Sequence, residues 1–562
     1  MELSPKVIDQ LTKIIEGPTA VSSAGFPIIG EEQFDSFLQN VPHLFFQGHT
    51  TLEWLKNFDF TNDSQQRAVK VLETVVGTAG VTAPPDLWLL RLLFHCHEKS
   101  GLLAAFREGG CRSDELCEQQ GFLSNDLNWD LHFMLSRGLI DRVDEQLWVW
   151  QDRPWVQQIL EENWVLRDGV TTFDWVEIMG EALQGREPES GFMQIPPFVY
   201  PDIFKQAENW TPGTREVHQG ASLVPLVLAI RLTPQWSDMV EGTPLNSLFP
   251  NALPCISKFL TDVGFLKNGL LTSLGLRAIK RGPGPYGIIH AYYPYLEQRL
   301  ALLQKDQSGS IWVSRGKNVA ASKDANQKTF NKAIGSLKDF CGESGFKYNV
   351  FIEHAVGQGE GIRQHHQMFP EGNFQYFGAD LEDAAIDSAI AQKEAGNLPA
   401  NTLFIRDADI GKPQILIEGV EKAGFSIKNA VMVVGNGYHE VRNQTNEGMM
   451  AVFKAYHDAG VLIIFTEESA LNDEDLLNTG WNTYHAGFRY VHELSGQGLR
   501  PAHDGYKDPE MSRLSWKACV EAAGYRLHPT LTTHTRTIYP HARKGGYNPA
   551  ISVNYFCVPQ WG

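Results

Sequence analysis

The chain has 562 residues, which at about 150 residues per domain predicts three or four domains. Hydrophobic residues make up 43% of the chain and charged residues 20%, so enough apolar surface can be buried to exclude disorder as the main state. With 48 Lys and Arg against 66 Asp and Glu, the formal charge is -18. A field of that sign repels phosphate backbones and anionic lipid, so we expect neither nucleic acid nor membrane partners.

Cysteine usage and the absence of long apolar runs predict the compartment. The seven cysteines are scattered and show no CxxC spacing, which indicates neither a zinc site nor a disulfide framework. The first residues lack the basic start and apolar core of a signal peptide, and the sequence contains no run of 18 apolar residues. We therefore expect a cytoplasmic protein.

Glycine and proline breaks and changes of hydrophobic period divide the chain into four predicted blocks, 1-75, 76-165, 166-325 and 326-562. The first block is a helical segment, in which a helix opens near residue 63 with Asp63 and Ser64 as candidate caps. Within the second block, the part from Pro84 to Trp150 shows the pattern of three short helices followed by a strand pair, which is the order of a winged helix. Residues 84-150 carry six Lys and Arg against eleven Asp and Glu, which favours a packing or dimerisation role over the reading of DNA.

The third block is rich in helices and in proline breaks, and we expect a helical cap over a substrate. It contains a run with Tyr286, His290, Tyr292, Tyr293 and Tyr295, for which aromatic packing is favoured and a pocket wall is the alternative. The polar stretch at 306-328 is predicted to be a linker.

After about residue 330, continuous apolar strands alternate with helices. The predicted strands are KYNVFIEHAV, FQYFGADL, TLFIRDAD, AVMVVGNG and GVLIIFTEE. This alternation predicts an α/β fold, a Rossmann-like parallel sheet with helices on both faces. Ligands bind such sheets outside the carboxyl ends of the strands, so residues at those ends are the candidates for function.

The first of these strands runs into a glycine-rich turn, from Glu353 through Gly357 and Gly359 to Gly361. Glycines let backbone N–H groups approach a ligand closely. A third glycine of the dinucleotide pattern would stand at position 362, which is Ile362, and this disfavours NAD. The second strand ends in Asp380, where a carboxylate can accept hydrogen bonds from both hydroxyls of a ribose.

The third strand ends in a further acidic pair, Asp407 and Asp409. These features follow one another along the chain: an acid, a glycine turn, an acid after the second strand and acids after the third. This order resembles that of the class I S-adenosylmethionine-dependent methyltransferases. The resemblance implies that Glu353 and the glycine turn hold the methionine part of the donor, that Asp380 holds the ribose, and that the third-strand acids lie near the adenine. Asn436, at the end of the fourth strand, is assigned to the same donor site. Ala355 stands where many family members have the first glycine, so we expect a slightly altered turn.

A histidine follows the fourth strand in the phrase GNGYHEVRNQT. In winged-helix small-molecule O-methyltransferases a histidine in a similar position deprotonates the acceptor, and His439 matches it. Imidazole suits this role because its pKa lies near neutral pH. The resemblance therefore implies a metal-free O-methyltransferase with His439 as the general base.

The same phrase, with IEHAVGQGEG and TSLGLRAIKRGPGPYG, is similar to the mononuclear-iron C-methyltransferase of the apratoxin polyketide synthase loading module and its free-standing relatives, over roughly residues 80 to 560. That resemblance implies a divalent metal, Fe or Mn, on His439 and Gln444. It also implies that the acceptor is malonyl on an acyl carrier protein. A metal chelated by a dicarbonyl would stabilise the enolate as a Lewis acid.

Three functions therefore stay open at this point. The first is metal-assisted C-methylation of an enolisable acyl or 2-oxo-acid group, free or bound to a carrier protein. The second is metal-free O-methylation of a small molecule, and the third is a non-catalytic scaffold. The winged-helix resemblance also implies a homodimer.

Overall fold

The computed structural model describes most of the chain. The described residues are 3–21, 27–38, 48–165, 175–186, 212–305, 311, 315–442, 444–479, 481, 483–502, 513–535, 537–540 and 548–560. They form two compact units: the first consists of Met1–Val313, Asp473–Leu494 and Ile538–Asn548, and the second of Ser314–Asn472, Ser495–Thr537 and Pro549–Gly562. Within the described ranges, no helix has the length and apolarity needed to cross a bilayer.

The first unit is mainly helical. Its α-helices are Pro5–Glu16, Glu31–Leu38, Gly48–Lys56, Asp63–Ser100, Leu102–Arg107, Ser113–Gln120, Ser124–Ser136, Pro154–Glu161, Trp175–Leu183, Pro212–Arg231, Leu245–Leu248, Pro254–Asp262, Ser273–Arg281, Pro283–His290, Tyr293–Glu297, Arg299–Gln304, Asp473–Asn478 and His485–Leu494, with a 3₁₀ turn at Pro234–Asp238. Its strands are β1 (Thr19–Val21), β2 (Pro27–Ile29), β3 (Cys111–Arg112), β4 (Ile140–Arg142), β5 (Leu147–Trp150), β6 (Leu266–Lys267) and β7 (Leu270–Leu271).

The longest helix, Asp63–Ser100, differs from the prediction at its start and in its length. Its N-cap is Asn62, whose side chain accepts a hydrogen bond from the backbone N–H of Gln65 at 3.0 Å, and not Asp63 or Ser64. The helix also continues through Pro84 and Pro85, whereas the sequence analysis takes Pro84 as the start of a separate series of short helices. A proline in a helix costs about 3 kcal/mol, but the residues around the two prolines are buried, and burial of apolar side chains offsets that cost.

The region between Pro84 and Trp150 contains the predicted short helices and strands. Strands β3, β5 and β4 pair in that order as an antiparallel sheet, with Cys111 opposite Trp148 and Ile140 opposite Trp150. The winged-helix assignment and the division into four domains stay predictions. In the aromatic run of the third block, Tyr286, Tyr292 and Tyr295 are buried.

The second unit is built on one eight-stranded sheet. Its strands are β8 (Val350–His354), β9 (Gln375–Ala379), β10 (Thr402–Ile405), β11 (Val431–Gly435), β12 (Leu462–Glu468), β13 (Tyr525–Leu527), β14 (Thr533–His534) and β15 (Ser552–Pro559). The strand order is β10-β9-β8-β11-β12-β15-β13, with β14 paired to β15. The five predicted strands are present and parallel, and β15 runs antiparallel to β12.

Helices cover this sheet on both faces. They are Arg315–Ser344, Glu360–Met368, Asp383–Glu394, Pro413–Lys422, Asn446–Asp458 and Trp516–Ala522, with a 3₁₀ turn at Tyr438–Glu440. Side chains alternate between two apolar layers, because successive residues of a strand point to opposite faces. Ile352 and Met432 belong to one layer, and Phe351 and Val433 to the other.

Two predictions for this part of the chain are wrong. Of the stretch predicted to be a linker, residues 315-328 lie in the helix that begins at Arg315, while residues 306-310 and 312-314 lie outside the described residues. The tail segment SRLSWKACVEAAGYRL is predicted from the sequence to be one helix, but its last three residues, Tyr525–Leu527, form strand β13. The preceding Gly524 has φ +102°, a conformation that ends the helix before the strand begins.

Candidate active site

The sheet of the second unit has a topological switch point between β8 and β11. From β8 the chain moves outward to β9 and β10, and then returns to the other side of β8 as β11. The two strands run parallel, and His354 pairs with Val434 at their carboxyl ends. Ligands of open α/β sheets bind in the crevice outside the strand ends at such a point. The predicted site residues of β8 and β11 therefore flank the same crevice.

Glu353 lies beneath the glycine turn and not at the surface. Its carboxylate accepts hydrogen bonds from the backbone N–H groups of Gly361, at 3.0 Å, and Ile362, at 2.8 Å. These bonds attach the start of the helix Glu360–Met368 to strand β8. Burial raises the pKa of Glu353 to about 7, although the two amide hydrogen bonds oppose the rise. The structure therefore gives Glu353 the role of holding the turn in place.

The turn itself requires residues that tolerate left-handed backbone conformations. The φ angles are +50° at Gly357 and +78° at Gly359, and Ala355 has φ +56°. A Cβ atom added at Gly359 would lie 2.7 Å from Cδ1 of Leu398, so both conformation and space demand glycine there. The alanine at position 355 adopts the conformation that glycine prefers, at a cost of about 1 to 2 kcal/mol.

Asp380 lies next to this turn, as the sequence predicted. One carboxylate oxygen of Asp380 accepts a hydrogen bond from the N–H of Gly357 at 3.4 Å, and the other accepts from the N–H of Glu382 at 3.0 Å. Asp380 is partly exposed, so the carboxylate borders solvent beside the glycine turn. A carboxylate in this place can accept hydrogen bonds from the hydroxyls of a ribose.

The two third-strand acids differ in their surroundings. Asp407 is exposed and has φ +53°. The carboxylate of Asp409 accepts a hydrogen bond from the N–H of Gly411 at 2.9 Å and lies 3.2 Å from Nζ of Lys412. Asp409 therefore caps its own loop. A place near an adenine ring stays a prediction for both residues.

Asn436, directly after β11, carries an unsatisfied polar atom. Its backbone N–H donates to the carbonyl of Thr466 at 2.9 Å, and its φ is +53°. The side-chain oxygen of Asn436 is buried and has no hydrogen-bond partner among the described residues. A buried polar atom without a partner costs about 1 to 3 kcal/mol. A donor group of a bound ligand would remove that cost, which fits the predicted place of Asn436 in a ligand site.

His439 forms a buried pair with Glu467, a residue that the sequence motifs did not point to. Nδ1 of His439 lies 2.6 Å from Oε2 of Glu467, and Oε1 of Glu467 accepts from the N–H groups of Tyr438 at 2.6 Å and His439 at 3.4 Å. Both side chains are buried. Because Glu467 binds Nδ1–H, the neutral imidazole carries its basic lone pair on Nε2.

The surroundings of His439 are acidic. Burial by itself would lower the pKa of His439, but the negative charge of Glu467 and its hydrogen bond outweigh burial, and Glu440 and Glu468 add to the rise. The pKa is raised to about 9. The signal for Glu467 was present in the sequence: β12 ends in two acids, and its parallel pairing with β11 brings Thr466 level with Gly435. The residue after Thr466 therefore meets the loop that follows β11.

The side chains of the predicted metal pair have other partners. Oε1 of Gln444 accepts a hydrogen bond from Nε of Arg500 at 2.7 Å, and its amide nitrogen donates to the carbonyl of Gly498 at 3.0 Å. A guanidinium cation on the proposed ligand oxygen opposes a divalent ion there. No group of three or more His, Cys, Asp or Glu side chains suited to a metal occurs in the described part of the chain. The residues present therefore do not fit the predicted Fe or Mn ion.

Comparisons with known proteins gave structural similarities only. No protein-family profile matches the chain, and no curated protein matches it. The CMeT domain of the citrinin polyketide synthase is 12% identical, with 97% of this chain and 100% of that chain covered and a TM-score of 0.35. The DszA carbon methyltransferase is 15% identical, with 56% and 78% covered and a TM-score of 0.30.

A further similar structure is that of a putative O-methyltransferase from Nostoc punctiforme. It is 13% identical to this chain, with 63% of this chain and 99% of that chain covered and a TM-score of 0.36. All three TM-scores lie below 0.5, so these similarities carry no weight for function. The function has to follow from the residues of this chain.

Proposed function

We propose that the protein is an S-adenosylmethionine-dependent methyltransferase in which His439 removes a proton from the methyl acceptor. The observation that carries the proposal is the buried pair of His439, which follows β11 at the switch point, and Glu467, which lies at the end of the neighbouring strand β12. A glycine turn and a partly exposed carboxylate, Asp380, follow the strands β8 and β9 at the same edge of the sheet. This combination provides a nucleoside site and a base on one edge of a sheet.

The donor site follows from four groups of this chain. Asp380 accepts hydrogen bonds from ribose hydroxyls, Gly357 and Gly359 let the ligand approach the backbone, and the unpartnered oxygen of Asn436 accepts from a donor group of the ligand. Bound S-adenosylmethionine supplies an electrophilic methyl group. The main contribution of the protein is then to orient the acceptor and to activate it.

His439 activates the acceptor by taking its proton on Nε2. The imidazolium that forms is stabilised by the carboxylate of Glu467, 2.6 Å from Nδ1, so the positive charge is created beside a negative one. The electron pair left on the acceptor atom becomes the nucleophile. Glu467 also fixes the tautomer in which Nε2 carries the lone pair that takes the proton.

The first candidate acceptor is the acidic carbon of an acyl group flanked by two carbonyls, either free or bound to a carrier protein. The resemblance of the phrase around His439 to C-methyltransferases supports a carbon acceptor. Without a metal, the carbon must be acidic enough for imidazole to deprotonate, which favours a 1,3-dicarbonyl over a 2-oxo acid.

The second candidate is O-methylation of a phenol-like hydroxyl. One observation favours it: the pKa of His439, about 9, lies within about one unit of the pKa of a phenol, about 10. Proton transfer is most efficient when the two pKa values are close.

We also propose that residues 76-165 form a winged helix, that residues 166-325 form a cap for the acceptor, and that the protein is a homodimer. The order of short helices followed by the antiparallel strands β4 and β5 supports the winged helix. The net negative charge of residues 84-150 supports a packing role for it.

The test is mass spectrometry of reactions with purified protein, S-adenosylmethionine and matched acceptors. The acceptors are a 1,3-dicarbonyl thioester, the same thioester on an acyl carrier protein, and a panel of phenols. A mass gain of one methyl group on one class, lost in His439→Asn, supports the proposal. If calorimetry detects no binding of S-adenosylmethionine, the proposal is wrong and a scaffold role takes its place.

A further inference from the structure

A short segment of the second unit, Ser495–Arg500, lies against the loop that carries His439. We call this segment the strap. Its central residue, Gly498, donates its N–H to the backbone carbonyl of His439 at 3.1 Å. Its carbonyl accepts from the side-chain amide of Gln444 at 3.0 Å. The strap therefore contacts both ends of the loop from His439 to Gln444.

Gly498 is the residue that lets the strap approach so closely. A Cβ atom at this position would lie 3.0 Å from three side-chain atoms of Gln444. A larger residue would require the Gln444 side chain to shift by a few tenths of an ångström. Glycine at position 498 therefore favours the close contact.

Arg500 ends the strap and is completely buried. Its Nε donates to Oε1 of Gln444 at 2.7 Å, and its other nitrogens donate to the side chain of Asn446 at 2.8 Å and to the carbonyl of Thr445 at 3.0 Å. The guanidinium also lies over the ring of Trp516, 5.6 Å from its centroid. Both polar ends of the Gln444 amide are thus held by the strap, one by Gly498 and one by Arg500.

The other end of the strap contacts the acid beside the base. The side-chain amide of Gln497 donates to Oε2 of Glu440, and Oγ of Ser495 donates to Oε1 of Gln497 at 2.8 Å. Oε1 of Glu440 lies 3.7 Å from Nε2 of His439. The strap therefore holds the carboxylate that lies beside Nε2, the nitrogen that would take the acceptor proton.

We propose that the strap positions His439 for proton transfer. The positioning residues are Arg500 in the strap and Gln444, which Arg500 holds. Glu467 holds the imidazole and the main-chain N–H of His439, whereas the strap holds its main-chain carbonyl and the loop that follows. The inference rests on the proposed function of His439 as a base. It assigns Gln444 a bracing role and not a metal-ligand role.

The experiment is a double-mutant cycle with Gln444→Ala and Arg500→Lys. Each single variant should lower kcat by about 10- to 100-fold, and the double variant should be no slower than the worse single variant, because the two side chains act as one unit. The affinity for S-adenosylmethionine should stay within about twofold of the wild-type value, since neither residue belongs to the donor site. Arg526→Lys, an exposed arginine on β13, is the matched control and should leave kcat unchanged.

Two further measurements separate bracing from its alternatives. In NMR spectra of protein labelled with ¹³Cε1-histidine, the chemical shift of the His439 signal should change in Gln444→Ala and Arg500→Lys. It should stay the same in Arg526→Lys. This readout does not need an acceptor, so it tests the strap even if the wild-type protein methylates none of the acceptors offered. Gln444→Glu, which keeps an oxygen for Arg500, should retain more activity than Gln444→Ala.

Three results would overturn the inference. The first is additive losses of kcat in the cycle, and the second is an unmoved His439 signal in both variants. The third is stoichiometric Fe or Mn in wild-type protein, supplied as Fe(II) or Mn(II), that is lost in Gln444→Ala. That last result would make Gln444 a ligand.

Discussion

The most informative single change is Glu467→Gln. Glutamine has nearly the shape of glutamate and keeps an oxygen that can accept from the N–H groups of Tyr438 and His439, now bonded at 2.6 Å and 3.4 Å. The change removes the negative charge 2.6 Å from Nδ1 of His439 and can place an amide N–H opposite that nitrogen. The fold should therefore survive, while the charge and the tautomer of His439 change.

The size of the effect follows from the pKa of His439. Glu467 is the largest of the groups that raise this pKa from 6.5 to about 9, and burial, which lowers it, remains after the substitution. We expect the pKa to fall to about 7 or below, a loss of about 3 kcal/mol in the preference for the imidazolium. Because the favoured tautomer is lost as well, kcat should fall by about 10³- to 10⁴-fold.

The assay is a pH titration followed by NMR on protein labelled with ¹³Cε1-histidine. The signal of His439 is assigned by its absence in His439→Asn. The matched control is Glu468→Gln, which removes the same charge one residue later and should lower the pKa less, since Glu468 contributes least of the three acids named above. A midpoint that stays near 9 in Glu467→Gln would refute the electrostatic account of the pair.

The same shift has a consequence for stability. The pKa of His439 is higher in the folded chain than in the unfolded chain, so its contribution is complete below pH 6.5 and is lost as the pH rises through about 9. The wild-type protein should therefore lose thermal stability relative to Glu467→Gln between pH 6 and pH 10. A difference in melting temperature that does not change with pH would contradict this.

The remaining predictions concern the donor site and are tested by calorimetry with S-adenosylmethionine and by thermal melting. Asp380→Asn should weaken donor binding by about 10- to 100-fold, the value of one hydrogen bond to a charged group; an unchanged affinity would remove Asp380 from the site. Gly359→Ala should lower the melting temperature more than Gly396→Ala, because both glycines have φ near +77° but only the first would bring a Cβ against a neighbour; equal losses would contradict the packing argument. Asn436→Gly keeps the left-handed backbone and removes the unpartnered oxygen, so it should weaken donor binding about tenfold, whereas Asn429→Gly, at an exposed left-handed asparagine, should not. Equal affinities in the two asparagine variants would exclude that oxygen from ligand binding.

Much of the second unit could be predicted from the sequence because its signals are local. Long apolar runs between helical stretches predict buried parallel strands, and the positions of Gly357 and Asp380 at two strand ends predict their meeting. The helix through Pro84 and Pro85 was missed because a proline is a local signal for a break, whereas the burial that outweighs it comes from distant parts of the chain.

The residues that contact His439 and Gln444 could not be predicted for the same reason, because they lie far away in the sequence. His439 and Glu467 are separated by 28 residues, and Gln444 and Arg500 by 56. No pattern of sequence spacing predicts a contact between residues so far apart. Their contacts depend on the register of β11 against β12 and on the path of the strap.

The sequence by itself therefore determined the parallel sheet, the glycine turn and the identity of the histidine after the fourth strand. These features depend on residues close together in the chain and on the rule that parallel strand ends meet at one edge. Only the tertiary structure decided what surrounds that histidine. A buried carboxylate raises the pKa of His439, and a buried arginine occupies the oxygen of Gln444, because folding brings distant charged groups together where little water screens them.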